Sequence, residues 1–310
     1  MSEVSYVHTD ILLDSGTNEL EVMEFTIAGD SFGINVAKIT EIMQFRPVKP
    51  MPNCHPNVAG VFMPRDLVIT VVDLPGFMGL PASEDPERDM FMITGFNNLH
   101  IAFHVHTVEG IHRIKWSDIE KPDNVIYGGE DGLATGIAKV GQKLITIVDF
   151  ESIVFGISPE LGIQLSEITA LGPRERSAKP IVTADDSVLL KKLVYDALTA
   201  AGYTNIKSFP NGQELWDYLE KLRDNALAEG VPVASKVAAV ITDIEMPMMD
   251  GHHLTKLIKE DAVLKQVPVI LFSSLIDEAM RVKGDELGAN AQLSKPEIGH
   301  LVMTLDSCIQ

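Results

Sequence analysis

Five polar residues stand at the ends of short apolar runs, and their types fit one chemistry. In VAAVITDIEMPMMDG (residues 237–251) six apolar or small residues lead straight into Asp243, and IVTADDS (181–187) ends in the pair Asp185 and Asp186. VPVILF (267–272) is followed by Ser273, 30 residues after Asp243, and AQLSKP (291–296) carries Lys295, 52 residues after it. An isolated aspartate after a strand is as readily a turn former or helix cap. Four strand ends that together supply three carboxylates, a hydroxyl and a fixed cation are harder to read that way. Clustered carboxylates do not all stay ionised without a cation. Oxygen ligands of this kind suit Mg²⁺, which takes a few carboxylates and keeps several waters. The set matches a site for an aspartyl phosphate: Asp243 attacks phosphorus while Mg²⁺ and Lys295 neutralise the phosphoryl oxygens.

The elements that must position these groups are strands of a parallel sheet. Val- and Ile-rich runs of four to eight residues read as strands buried on both faces, and ligands of open α/β sheets bind at the carboxyl ends. Pro247 and Asp250-Gly251 form a turn before the next helix, and Leu189, Leu190, Leu193 and Leu198 give residues 188–198 an amphipathic pattern. In order, strand context and downstream spacing this half resembles the response-regulator receiver family. The resemblance implies a doubly wound α/β fold, with a parallel five-stranded flavodoxin-like sheet, over residues 180–310. It also implies Asp243 as phosphoacceptor, Asp186 as direct Mg²⁺ ligand, Asp185 as its partner through water, the backbone carbonyl of Glu245 on the metal, and Ser273 and Lys295 as phosphoryl contacts. Two departures stand out. Asp186 and Asp243 are 57 residues apart, the surplus falling in LRDNALAEGVPVASK (222–236) as a lengthened second helix and loop. Where the single-domain receiver CheY carries an aromatic switch three residues before the lysine, this chain has Gln292, which has no flat apolar ring to bury. A rival, an aspartate-nucleophile phosphatase of the haloacid dehalogenase type, would want Asp two residues after the nucleophile and a hydroxyl or Val two further on; the chain has Glu245 and Pro247.

Residues 1–157 read as all-β and contain a repeat. LVITVVDL (67–74) is echoed by KLITIVDF (143–150), with Gly60 echoed by Gly136 at the same offset of 76; FTIAG (25–29) is echoed by FMITG (91–95) at 66. Two β-modules, about 22–80 and 90–157, are expected, each a small barrel that hides its edges by closure and ends in an aspartate before an apolar helical tail. FTIAGDSFGINVAKITEIM (25–43), HPNVAGVFMPRDLVITVVDLPGFMGL (55–80) and GLATGIAKVGQKLITIVDFESIV (132–154) resemble the CheW-type coupling domain, which implies two SH3-like barrels. In that family the strand matching FGINVAKITEI and an Arg-bearing turn serve docking, so the resemblance implies Val36, Ile39, Ile42 and Arg65 as partner-binding residues. Where members carry Asn-Leu-Arg-Gly, this chain has Met63-Pro64-Arg65-Asp66, which keeps the Arg. Residues 1–163 are expected as the coupling domain and 164–179 as a linker, with a short helix in SPELGIQLSEITAL and a Gly, Pro, Ser and charge-rich LGPRERSAKP.

Length and composition agree with two packed domains: 310 residues, 45% hydrophobic and 22% charged. The net charge is −19, with 12 basic and 25 acidic residues before Ala178 and 13 and 19 from there on, so neither half offers the basic patch that nucleic acid or an anionic membrane requires. Cys54 and Cys308 form no CxxC pattern, as expected of a reduced cytosolic protein. MSEVSYVHTD (1–10) has no apolar signal core, and no run reaches a membrane span. His100, His104 and His106 share strand parity, but at about 3.3 Å per residue the outer two are roughly 20 Å apart, so one ion cannot use all three. His252 and His253, opening the helix after the acidic turn, are expected on its exposed side. A CheW-like domain followed by a receiver is the arrangement of the CheV-type chemotaxis coupling family. That implies a cytoplasmic adaptor recruited to chemoreceptor arrays, with the histidine kinase CheA and chemoreceptors (methyl-accepting chemotaxis proteins) as partners and phosphorylation as the modulator. The competing adaptor role is a sink that drains phosphate from the kinase.

Overall fold

The alternating apolar runs of the first half form strands, and the repeat is visible in their order. In the computed structural model, which describes residues 19–96, 99–120, 132–274, 276 and 278–309, the chain divides into a unit ending at Pro159 and one beginning at Glu160. The stretch 1–10, expected to lack a signal core, lies outside the described residues. The first copy runs β1 (Glu19–Ile27), β2 (Asp30–Asn35), a 3₁₀ turn (Val36–Lys38), β3 (Ile39–Gln44), β4 (Val58–Phe62), β5 (Ile69–Asp73) and α1 (Leu74–Phe77). The second runs, with one strand more, β6 (Met90–Phe96), β7 (Leu99–Val105), β8 (Thr107–Lys115), a 3₁₀ turn (Trp116–Asp118), β9 (Ile119–Glu120), β10 (Ala134–Val140), β11 (Lys143–Val148) and α2 (Phe150–Ile157). The two aspartates that close the copies are helix caps: Asp73 accepts from the Gly76 amide and Asp149 from the Ser152 amide.

The two copies do not fold as contiguous modules at 22–80 and 90–157; they exchange their first hairpins. One six-stranded sheet has the order β8-β1-β2-β11-β10-β9, and one five-stranded sheet the order β3-β6-β7-β5-β4. The exchange is made by the antiparallel pairs β1–β8 and β3–β6 and by two parallel pairings, Thr146↔Phe32 and Ile147↔Gly33 in the first sheet and Thr70↔Ile101 through Asp73↔His104 in the second. Each sheet buries its own apolar set, Val22, Ile114, Ala138 and Ile145 in one and Phe62, Val71, Phe91 and Ile93 in the other. Phe150, at the start of α2, joins them. Its ring lies 4.7 Å from that of Phe103 on β7 at 90° and 6.0 Å from that of Phe25 on β1, the edge-to-face arrangement that aromatic quadrupoles favour.

The second unit alternates strand and helix: β12 (Ile181–Ala184), α4 (Val188–Ala200), β13 (Ile206–Phe209), α5 (Gly212–Glu229), β14 (Ala239–Thr242), α6 (Gly251–Glu260), β15 (Val269–Ser273), α7 (Glu278–Glu286), β16 (Ala291–Ser294) and α8 (Ile298–Cys308). All pairings are parallel and the order is β13-β12-β14-β15-β16, the doubly wound arrangement expected. The three central strands, β12, β14 and β15, are buried on both faces. Ile181, Ala239, Ile241, Ile270 and Phe272 pack towards α4 and α8, while Val182, Ala184, Val240 and Val269 pack towards α5 and α6. The sequence surplus takes the expected form: α5 has 18 residues and ends at Gly230, whose left-handed φ of 66° closes the helix.

The stretch expected as a linker is not a free tether. Between Leu161 and Pro180 the chain forms α3 (Leu165–Ala170), which packs against α8 and α4, with Ile163 and Ile168 buried in the core beneath. Arg174 donates to both oxygens of Asp306 at 2.6 and 2.7 Å and to the Ala201 carbonyl at 2.8 Å. Ser177 bridges to Tyr203 in parallel register. These ties are mostly ionic and backbone bonds, which hydrophobic periodicity does not register. The hairpin exchange carries a direct consequence for stability. A fragment of residues 1–80 should remain unfolded, because the β1–β2 hairpin lacks β8 and β11, whereas residues 1–159 should give a cooperative melt. Far-ultraviolet circular dichroism of both fragments checks this, and a folded 1–80 fragment would contradict it.

Candidate functional site

The parallel ladder carries the acids to one edge of the sheet. β12 and β14 pair up to Ala184↔Thr242, and the ladder continues one step, the Asp243 amide donating to the Ala184 carbonyl at 2.9 Å and the Asp185 amide to the Phe209 carbonyl at 3.1 Å. Asp185 and Asp243 therefore stand abreast on neighbouring strands, with Asp186 next along the chain. Ser187 caps α4 through the Leu190 amide, and its own amide donates to Asp185 Oδ1 at 3.0 Å, which fixes that carboxylate. On the other side of β14, Ser273 ends β15, and its carbonyl accepts from the Lys295 amide at 3.0 Å. Lys295 is fully buried, and its Nζ donates to Asp185 Oδ2 at 2.8 Å and Asp243 Oδ2 at 2.7 Å. Oδ1 of Asp243 accepts the Ile244 amide at 2.6 Å and the Glu245 amide at 3.4 Å, so both of its oxygens are held.

The close approach of α6 behind Asp243 is a glycine property. A β-carbon on Gly251 would lie 2.0 Å from the Asp243 carbonyl oxygen, and the Gly251 amide donates to the Ile244 carbonyl at 2.9 Å. Asp250 caps the helix by accepting from the His253 amide at 2.7 Å.

Among the described residues, Asp185, Asp186 and Asp243 form the group of acids whose ligand atoms converge, with one oxygen from each lying within 4.8 Å of the others. Lys295 bridges two of these carboxylates, Asp185 and Asp243, each only 5% exposed. Burial with an excess of negative charge is unfavourable without a further cation, and an all-oxygen donor set fits Mg²⁺ in charge and hardness. The three histidines of HIAFHVH do not converge. His104 Nε2 bonds Asp89 Oδ2 at 2.7 Å, and His106 Nδ1 accepts the Ala28 amide at 3.0 Å.

Other expected residues fall in different places. Val36 and Ile39 are 3% and 6% exposed, parts of the core rather than exposed docking contacts: Val36 continues the buried parity of Phe32 and Ile34 on β2, and Ile39 follows the 3₁₀ turn at Val36–Lys38. Ile42 is half-buried, and Arg65 is exposed and paired to Glu41 Oε1 at 3.1 Å. Met63, Leu67 and Val68 are exposed around Arg65, an apolar rim that the strand-like pattern of LVITVVDL concealed. Gln292 is buried at 9%, its Nε2 donating to the Arg281 carbonyl at 2.7 Å and Asp285 Oδ1 at 2.8 Å, so it latches α7 to β16. His252 is 2% exposed, a correction to the expected surface position: the first turn of α6 lies beneath α7, and the imidazole faces Met280 and Lys283.

The chain matches the model of the CheW-like domain over residues 21–155 and that of the response regulator receiver domain over residues 181–306. It is 28% identical over 296 residues to chemotaxis protein CheV3 of Helicobacter pylori (strain ATCC 700392 / 26695), covering 91% of this chain and 92% of that protein. It is 26% identical over 303 residues to CheV2 of the same strain, with the same coverage. Chemotaxis protein CheW of Rhizobium meliloti (strain 1021) is 24% identical over 133 residues, 43% of this chain and 86% of that one. Among solved structures, the scaffolding protein TtCheW from Thermoanaerobacter tengcongensis is 21% identical with a TM-score of 0.39, covering 42% of this chain and 88% of that one. The chemotaxis response regulator CheY4 of Vibrio cholerae is 20% identical with a TM-score of 0.36, covering 43% and 100%.

Burial, with the Lys283 charge second, pushes the His252 imidazole down to about 4. Above the ordinary histidine pKa of about 6.5 the ring is neutral folded and unfolded, and the shift has no effect. As pH falls from there towards 4 the unfolded chain takes up a proton that the folded one refuses, so stability is lost, by up to about 3 kcal/mol. Replacing His252 with Leu should therefore flatten the decline of the second unit's denaturation midpoint between about pH 6.5 and pH 5. Parallel pH profiles for the two proteins would disprove this.

Proposed function

We propose, for a chain of the CheV type, a CheW-like domain joined to a response regulator receiver domain, that the histidine kinase CheA phosphorylates it on Asp243 and that this adjusts how its first domain couples chemoreceptors to that kinase. The observation that carries the reading is Lys295 Nζ, buried between Asp185 and Asp243 at the carboxyl edge of the sheet. A fixed ammonium beside a strand-end carboxylate neutralises an incoming phosphoryl group without reorganisation. The alignment to a CheV protein over 91% of this chain supports both halves of the role.

In the transfer, an oxygen of Asp243 attacks phosphorus, the P–N bond of the kinase phosphohistidine breaks as the new P–O bond forms, and the departing imidazole takes up a proton. The carboxylates of Asp186 and Asp243 and the Glu245 carbonyl would hold Mg²⁺, with Asp185 through water, and the ion would supply charge neutralisation. The amides of Ile244 and Glu245 orient the Asp243 carboxylate. Lys295 follows the developing phosphoryl charge, and the Ser273 hydroxyl donates to a phosphoryl oxygen. The chain performs this reaction on itself and turns over no separate substrate. In the first domain, Ile42 and Arg65, with the exposed Met63, Leu67 and Val68, form the docking patch for kinase or receptor. Recruitment is by docking to arrays on the cytoplasmic side; no helix among the described residues is long and apolar enough to cross a membrane.

Asp243→Asn is nearly isosteric but cannot form the acyl phosphate, so incubation with phosphorylated CheA and Mg²⁺ should leave it without acid- and alkali-labile label. Label persisting at wild-type level would refute the assignment. Arg65→Glu should weaken capture of kinase or receptor while shifting the domain's stability by less than about 0.5 kcal/mol, as surface substitutions do. Undiminished binding in a pull-down would remove Arg65 from the interface.

A further inference from the structure

Residues 160–179 form a strap laid over the receiver's α4 and α8, and one of its side chains does work that α8 does not do for itself. Glu297, the N-cap residue of α8, makes no side-chain capping bond. The amide of Gly299, second in the helix, instead donates to Glu167 Oε2 of the strap at 2.9 Å. A helix start leaves amide donors without intrahelical partners, and a carboxylate there also meets the positive end of the helix dipole. Contact is tight: a β-carbon on Gly299 would fall 3.1 Å from Glu167 Oε2 and 3.3 Å from Glu167 Cβ. Gly299 lies four residues after Lys295, joined to it through Pro296, Glu297 and Ile298, a segment tied by the Glu297 amide to the Ser294 carbonyl and fully buried at Ile298. The residue that senses the phosphoryl site and the amide that holds the strap therefore share one short, constrained piece of backbone.

We propose that the strap reads the state of the Asp243 site: when Lys295 is drawn to a phosphoryl group, the segment to Gly299 shifts, the Glu167 cap opens, and the strap, which continues in sequence to the coupling domain at Pro159, is loosened from the receiver. This rests on Asp243 being the phosphoacceptor. The strap's other anchors are arranged for such a release. Arg174 and Asp306 hold its far end at the last turns of α8, and Ser177 is bonded by backbone to Gly202 and Thr204. Loosening the Glu167 end thus frees α3 while the strand-like end stays docked. The sign follows from the geometry of Lys295, whose ammonium now bonds two carboxylates and, on phosphorylation, must accommodate a third acceptor. Coupling of this kind is reciprocal, so whatever opens the cap should also favour the phosphorylated form.

The test is hydrogen–deuterium exchange of the full-length chain, read in peptides covering 163–171 and 298–305, with Mg²⁺ alone and with Mg²⁺ and beryllofluoride, an analogue of the phosphoryl group. In the wild-type chain beryllofluoride should speed exchange of both peptides by about tenfold, the scale on which losing a cap weakens a helix start. Glu167→Ala should show the fast exchange without the analogue, and bind the analogue several-fold more tightly; Gly299→Ala, which pushes on the strap from the other side, should do the same. Asp243→Asn, with one of the two Lys295 acceptors weakened, should raise exchange in both peptides with no analogue present. If beryllofluoride binds and neither peptide responds, the proposal is overturned. If the analogue fails to bind, the phosphoacceptor reading fails instead, and the Asp243→Asn arm decides the strap by itself: raised exchange there upholds the link between the Lys295 segment and the strap, and unchanged exchange breaks it.

Discussion

One buried ammonium sets the terms for the second half of this molecule. Lys295 has no exposed surface, and an amine in that position is tolerable only if carboxylates meet it, which Asp185 and Asp243 do from two adjacent strands. That requirement constrains the sheet. β12 and β14 must be neighbours in register, β16 must end level with them across β15, and each strand must stop at its polar residue. The reverse dependence holds as well, since two aspartates side by side without the lysine would repel. Structure and chemistry coincide here because the group that makes the charge cluster foldable is also the group a phosphoryl oxygen would seek.

The receiver half was largely legible because its chemistry sits on rigid elements. A Val- and Ile-rich run buried on both faces has few alternatives to a parallel strand, and a polar residue directly after it is delivered to the sheet edge whatever the loops do. Asp185, Asp243 and Lys295 could be placed on that ground, together with the long α5. His252 could not. A polar residue in a helix's first turn ordinarily faces water, and only the approach allowed by Gly251 and the cover given by α7 put the ring inside. Gln292 was readable as the absence of an aromatic but not as a latch, because its partners are a carbonyl and a side chain on a helix whose docking face is Met280, Lys283 and Gly284.

In the first unit the repeat was visible while its pairing was not. The offsets of 66 and 76 show two copies with an insertion between matched segments, yet period-2 patterning says which face of a strand is buried and nothing about which strand lies beside it. Val36 and Ile39 were expected at the surface from the family resemblance, yet Val36 continues the buried parity of Phe32 and Ile34, and only Ile39 lies beyond the 3₁₀ turn, capped by Asn35 on the Ala37 amide, where that alternation is interrupted. The strap escaped notice for a third reason: with Ile163 and Ile168 as its main buried apolar residues, it is held by Arg174, Glu167 and backbone bonds.

The exchanged hairpins also govern how the protein emerges from the ribosome. β1 and β2 leave the exit tunnel early, but their flanking partners, β8 and β11, lie as far on as residues 107–148. At about 5–20 residues per second the first hairpin waits on the order of ten seconds with both of its edges unpaired. Such edges are templates for any other extended chain. The polar and charged side chains along β1, Glu19, Glu21 and Glu24, are thus well placed to keep neighbouring nascent chains apart by mutual repulsion until β8 arrives, when Glu21 turns to Arg113 and Glu24 to His112.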